Sequence, residues 1–474
     1  MSMEKDTLQQ TQTLDEMLIG QYRQYKELIS ENDTPHLRQI REDAFQTFEK
    51  EGFPHSGTEM WRHTDVDALT EDNYVHELKA PVVTENIEDI FQCDVHDFDT
   101  ETISMLNGWY TSKTGDLKTM PDGVVVGSIS AAMKAYPELF EKHYGKITGS
   151  ESNGFVQINT AMMQDGVFIW VPDGVKTAKT LQIIKIINRK EQLFVQSRNL
   201  IILGKNSELS LMHCDDSVDH NASLVNTVTE FFVDENAHLE LYKLQNLNDN
   251  SALINSTFIK QMANSTIKTN TLTFNCGLIR NSIHVKLDGQ GAHADVLGLY
   301  LMDKEQHIDN QIRIDHNVPN CTSNELFKGI LDDEASGVFN GYIYVARDAQ
   351  QTNAYQNNNN IMLKSTATIN TMPFLEIYAD DVKCSHGATV GQLDQEAMFY
   401  LRSRGISADN ARMLLLYAFA ADLINEISIE PLRQRIDDMV KKRLRGELSV
   451  CDKCVLHCGT PDKEYHFDID LSQI

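Results

Sequence analysis

Along the first fifty residues the apolar positions Leu14, Met17, Leu18, Tyr22 and Tyr25 fall at helical spacing, and a second amphipathic stretch runs from about His36 to Phe48. The N-terminal region, residues 1–105, therefore reads as a mainly helical domain. Within it SGTEMWRHTDV carries Trp61 and Arg62, which could form a docking element, although an aromatic beside a turn is more often local core. From about Val167 the texture changes to short β-branched runs with alternating polar residues: VFIWV, LQIIKII, NLIILG, SELSLMHC, TEFFVDE, HLELYKL, SIHVKL and GYIYVA. Few helix signals interrupt them, so residues 106–400 read as a β core.

A loose recurrence runs through that core. A small residue is followed by alternating ones at Ser207, Ala237, Ser265, Ala292, Ala335 and Ala367, at intervals of 30, 28, 27, 43 and 32 residues. Irregular spacing of this kind suits a parallel β-helix, where each coil buries its apolar face on the next and insertions leave from the corners. The run YQNNNN, Tyr355 to Asn360, fits the same picture, because stacked amides can form ladders. A β-sandwich is the structural alternative.

At Gly405 the pattern switches again. Ser407 is an N-cap candidate for SADNARMLLLYAFAADLINEI, and Pro431 starts PLRQRIDDMVKKRLRG, with Lys and Arg in its last turns. Both helices of this hairpin, residues 401–446, carry broad apolar faces: MLLLYAF on the first, and Ile436, Met439, Val440 and Leu444 on the second. Two covers are open to them, a partner subunit or the chain's own β core.

Charge narrows the function classes. Lys plus Arg number 42 against 69 Asp plus Glu, a formal net charge of −27, which repels phosphate backbones and anionic membranes, so neither nucleic acid nor a membrane is expected as a partner. The N-terminus shows no basic and apolar leader pattern and no later stretch approaches the ~20 apolar residues of a membrane span, so a soluble, cytoplasmic protein is expected. Cys93, Cys214, Cys276, Cys321 and Cys384 are scattered as reduced thiols would be.

Candidate chemistry is sparse. No GxxxxGK[ST] and no strand-linked GxGxxG is present, so nucleotide binding by those routes is not expected. Asp380 and Asp381 invite comparison with β-helix polysaccharide lyases and hydrolases, yet neighbours on a strand point to opposite faces and make a poor acid–base dyad. His213, His284, His293, His307 and His316 show no metal-ligand spacing and read as strand or loop residues. The tail, residues 447–474, holds Cys451, Cys454, His457 and Cys458 in CDKCVLHC. Three thiolates and an imidazole could complete a tetrahedral zinc site or ligate an iron-sulfur cluster, while a redox-labile thiol group or incidental cysteines are the alternatives.

The segment LEIYADDVKCSHGATVGQLDQEAMFYLRSRGISADNARMLLLYAFA, Leu375 to Ala420, closely resembles the C-terminal signature of the SufB/SufD family of iron-sulfur cluster assembly proteins. CTSNELFKGILDDEASGVFNGYIYVARDAQQTNAYQNNNNIML, Cys321 to Leu363, resembles the same family's core, and residues 56–66 its N-terminal element. KCSHGATVG and the poly-Asn strand resemble the SufD side of the family more than SufB.

The resemblance implies a mainly β fold: a right-handed parallel β-helix flanked by N- and C-terminal helical domains. It also implies a non-enzymatic scaffold that pairs with a SufB-like subunit, carries a SufC-like ABC ATPase on its C-terminal helices, and is served indirectly by a cysteine desulfurase. A nascent iron-sulfur cluster shared with the partner, a reduced flavin in the complex and a homodimer in isolation belong to the same expectation. His386 of the Cys-Ser-His-Gly turn would face the SufB-like partner, where an imidazole can ligate iron or relay a proton. Judged without the family, a lone histidine there would be structural. Cys384, two residues earlier, would share its strand face and serve as a second soft ligand or as a small buried residue. A binding solenoid without metal chemistry is the remaining rival.

Overall fold

The computed structural model describes residues 13–71, 74–81, 99–111, 116–148, 153–217 and 220–445. Cys93 and the tail residues Cys451, Cys454, His457 and Cys458 lie outside them.

Two helices, Leu14–Ile29 and Pro35–Glu51, open the described chain. Thr34 starts the second by accepting from the Leu37 amide, Pro35 occupies its first turn, and Gly52 at φ 67° ends it. Their apolar faces, Leu14, Leu18, Tyr22, Phe45 and Phe48, pack with Trp61, Phe155 and Phe194. Trp61 is buried, and the Arg280 guanidinium lies 3.7 Å from its ring centroid. The local-core reading of that tryptophan therefore holds.

Between Thr100 and Gly391 the described residues include twenty strands in two ten-stranded sheets. One sheet aligns the strands beginning at residues 180, 208, 238, 266, 293, 322, 352 and 382; the other aligns those beginning at 167, 193, 223, 252, 278, 307, 336 and 368. The chain alternates between the sheets and pairs in parallel with the rung before, which makes a parallel β-solenoid of about seven turns and rules out a sandwich. Alternate side chains of both sheets point into a shared interior, where Leu211, Val225, Leu239, Ile279, Val296 and Ile314 are buried.

The corners explain the uneven recurrence. Ser207, Ala237, Ser265, Ala292 and Cys321 each precede a strand of the first sheet and are fully buried, since a larger side chain has no room where the rungs turn. The residue before each is left-handed: Asn206, Asn236, Asn264, Gly291 and Asn320. Ala335 and Ala367 are corners of the other sheet, so the long interval is a change of series.

The C-terminal hairpin settles against the first sheet. Helix Ala408–Ile424 begins at Ser407, whose hydroxyl accepts from the Asn410 amide, and helix Glu430–Leu444 follows. Leu416, Ala420, Leu423, Ile436, Met439 and Val440 are buried against Tyr242, Leu272, Phe274, Leu297, Leu299 and Ile330. Of the two open covers, the chain's own β core is the one used for these apolar faces. The solenoid is thus jacketed on both outer faces, and strands such as Leu193–Leu203 are buried along their whole length.

Candidate functional site

A parallel solenoid has two ends, and they differ here. At the first rungs the interior is sealed. Lys185, His213, Asp215 and Lys243 face inward on neighbouring strands, all buried. The Lys185 ammonium donates to the Ser197 and Thr227 hydroxyls at 3.0 Å each, and Lys243 donates to Asn255 Oδ1 at 2.5 Å. Burial pulls Lys185 down to about 7 and Lys243 to about 8, against the opposing pull of the Asp215 charge. Burial likewise lowers His213 to about 4, so the imidazole beside Asp215 is neutral at pH 7.

Amide side chains carry the polar lane onward. Asn255 donates to Asn281 and Asn281 to Asn310, each at 3.1 Å, across three successive rungs. The expected asparagine ladder therefore exists, but in these rungs. In the YQNNNN strand Asn357 and Asn359 point outward; Asn360 donates to Asn358 along the strand at 2.7 Å and accepts from the Tyr300 hydroxyl at 2.5 Å.

The last rung is open. Strands Thr368–Ile377 and Val382–Gly391 end their sheets, each paired on one side only, so a row of backbone donors and acceptors faces outward. Phe374, Ile377, Tyr378 and Val390 are exposed there, and Phe399 and Tyr400 are exposed on the helix that follows, Gln395–Ser403. This is an apolar, edge-presenting surface suited to strand addition by another chain.

Both sequence-selected residues sit on that rung. Cys384 pairs in register with Ala354 and His386 with Gln356, so they share the inward face of the final strand. Cys384 is half-buried among Ala354, Ile343 and Val345, and burial raises its thiol above the usual value. His386 is exposed. The strand does extend far enough to align them, as expected, and the cysteine combines partial burial with a position beside the opening.

Asp380 and Asp381 lie in the turn between the last two strands, not on a strand, and both are exposed. Strand alternation therefore does not separate them; the Asp381 amide donates to Gln350 Oε1 at 2.8 Å, a turn contact. Among the described residues no group of three or more His, Cys, Asp or Glu side chains could hold a metal ion. A cluster bound at His386 and Cys384 would need ligands from outside the described residues.

One residue of this interior escaped the sequence reading. Glu325, inward on the strand two rungs before His386, is fully buried, and its Oε2 accepts from Gln356 Nε2 at 2.8 Å. Burial pushes its carboxyl up to about 8, with no opposite charge to hold it down. The signal was a lone acid at an inward position of NELFKGIL.

Comparison with known proteins agrees with this geometry. Residues 186–419 match the family model "SUF system FeS cluster assembly, SufBD core domain", and residues 12–183 match "SufBD protein N-terminal region". The chain is 28% identical over 426 residues to an iron-sulfur cluster assembly SufBD family protein of Synechocystis, covering 88% of this chain and 93% of that one. It is 28% identical over 416 residues to the iron-sulfur cluster assembly protein SufD of Escherichia coli, covering 87% and 93%. To SufB of Bacillus subtilis it is 26% identical over 334 residues, covering 69% and 70%. With its solenoid, its two helical jackets and both family regions in place, the chain belongs to the SufB/SufD family of the SUF iron-sulfur cluster assembly system.

Proposed function

We propose that this chain is a SufD-like scaffold subunit, not itself an enzyme, working in the cytoplasm as half of a heterodimer with a SufB-like partner. The observation that carries the reading is the open last rung, which offers unpaired strand edges and exposed apolar side chains around the inward pair Cys384 and His386. The greater coverage by E. coli SufD than by B. subtilis SufB supports the SufD assignment. Iron and sulfide are cargo here. His386 offers an imidazole and Cys384 a soft thiol, and the partner supplies the remaining donors to the nascent cluster.

An ABC-type ATPase would engage the solvent face of the C-terminal hairpin, because its apolar face is already committed to the sheet. Movement imposed on those helices would pass to the solenoid through Lys328, which donates to the Phe419 carbonyl at 2.9 Å, and through Asn270, which donates to the Leu423 carbonyl at 3.3 Å. The test is to co-express the chain with SufB-like and ATPase partners, purify anaerobically and measure iron and acid-labile sulfide. The wild-type complex should carry both, and His386→Ala should lose them within an intact complex. Full loading of the variant would remove His386 from the site, and failure of any complex to form would overturn the subunit assignment.

A further inference from the structure

The inward residues of consecutive strands stack, and one column of that stack ends at the opening. Its last four members are Val296, Glu325, Gln356 and His386, each paired in register with the next. Adjacent members lie one strand spacing apart, about 4.8 Å. Gln356 is therefore the only side chain of the column between a fully buried carboxyl and an exposed imidazole.

Three features show that this site is built. The facing strand contributes Gly341, where an added Cβ would stand 1.9 Å from Gln356 Nε2 and 3.0 Å from Glu325 Oε1, so the absence of a side chain there makes the space for both groups. Glu325 Oε1 and Gln356 Oε1 are both buried without a hydrogen-bond partner among the described residues, so the pair is only half satisfied as it stands. Among the described residues no charged group acts on Glu325, whose one polar contact is the Gln356 amide. Its inward neighbours on the same strand are Ser323 and Phe327; of the titratable groups on neighbouring and facing strands, His316 bonds to Ser323 and Tyr300 to Asn358 and Asn360.

An amide between an acid and an imidazole is directional. When Glu325 is ionised it can only accept, so the Gln356 NH2 turns to it and the amide oxygen is left for an imidazole N–H. When Glu325 is protonated its O–H can donate to the amide oxygen, and the NH2 is left to face an imidazole lone pair. We propose that Glu325 is a positioning residue for His386, its proton setting which end of the Gln356 amide faces the imidazole at the open end. The inference rests on the scaffold reading for its purpose, but its physical core, the coupling of Glu325 to His386, does not.

The coupling is measured on the isolated full-length chain with isotope-labelled histidine, following the ring C–H shifts by NMR against pH and assigning His386 by the signal lost in His386→Ala. The His386 resonance should show an inflection near pH 8 that belongs to Glu325. Glu325→Gln should abolish that inflection. Gln356→Met, which leaves the acid in place and removes the amide, should abolish it as well. A wild-type resonance without an inflection near pH 8, or one that survives both substitutions, overturns the proposal. In the loaded complex, iron and sulfide content should depend on pH across the same range in wild type and become flat in Glu325→Gln. If His386→Ala keeps its full cargo, the scaffold site is wrong while the NMR coupling still stands or falls by itself.

Discussion

The two ends of this solenoid are made of the same rung and behave as opposites. At the first turns every polar group of the interior is enclosed, with Lys185, His213, Asp215 and Lys243 sealed by the rungs around them and the helices outside. At the last turn the same inward positions carry Cys384 and His386, with no further rung to cover them. Burial at the closed end makes polar groups structural, because an unpaired charge there is costly. At the open end the inward positions are only partly enclosed: Gln356 and Glu325 each keep one buried oxygen without a partner among the described residues, Cys384 is half-buried and His386 is exposed.

The largest contrast should come from removing one group at each end. Arg198 and Glu230 form an ion pair with both side chains fully buried, the guanidinium donating from Nε at 3.1 Å and from Nη2 at 2.5 Å to the same carboxylate oxygen. Glu230→Ala strands the arginine charge and should cost about 3–5 kcal/mol in urea unfolding. His386→Ala removes an exposed side chain and should change stability by less than about 0.5 kcal/mol. Comparable losses for the two variants would mean the open end is as integral to the fold as the closed one.

A smaller effect separates the ends by sign. Lys185 is lowered from 10.5 to about 7 in the folded chain, so between those values the unfolded chain binds more protons and stability rises with pH. Glu325 is raised from 4.5 to about 8, so between those values the folded chain binds more protons and stability falls as pH rises. Each slope is at most about 1.4 kcal/mol per pH unit. Lys185→Met should flatten the rise above pH 7, and Glu325→Gln should flatten the fall below pH 8, both read from urea midpoints over a pH series. If the two substitutions alter the same limb of the curve, the assignment of opposite roles fails.

Much of this architecture was legible. Helical spacing gave the N-terminal pair, Ser407 and Pro431 marked the hairpin, and the small residues from Ser207 to Ala292 marked true corners. The interior chemistry was not legible, for a physical reason. In SELSLMHCDDS polarity alone would put His213 and Asp215 outside, yet they share the inner face of Leu209 and Leu211 while Cys214 packs under the C-terminal helices. Polarity reports sidedness only when one face is wet, and here both faces are covered. The same cover hid Glu325, whereas Cys384 and His386 were singled out by the family resemblance of the segment that carries them and not by their pattern, since a lone histidine at that spacing reads as structural.

The smallest test concerns the corners themselves. From the closed end outward, the left-handed position before each first-sheet strand is Asn206, Asn236, Asn264, Gly291 and Asn320, then Gln351 at φ 60°; Asp381, before the last strand, has no positive φ. Asparagine and glycine tolerate that conformation, and glutamine does not share the advantage, so the corner chemistry weakens as the opening is approached. Gln351→Gly should therefore stabilise the chain, by about 0.5–1 kcal/mol, because relief of the Cβ strain outweighs the extra freedom of the unfolded glycine. Asn264→Ala should cost about 1 kcal/mol at its equivalent corner. The strain would then be concentrated where the solenoid must stop adding rungs of its own. If Gln351→Gly instead destabilises as much as Asn264→Ala, the last corners are as well fitted as the first, and the openness of the end depends on the missing next rung alone.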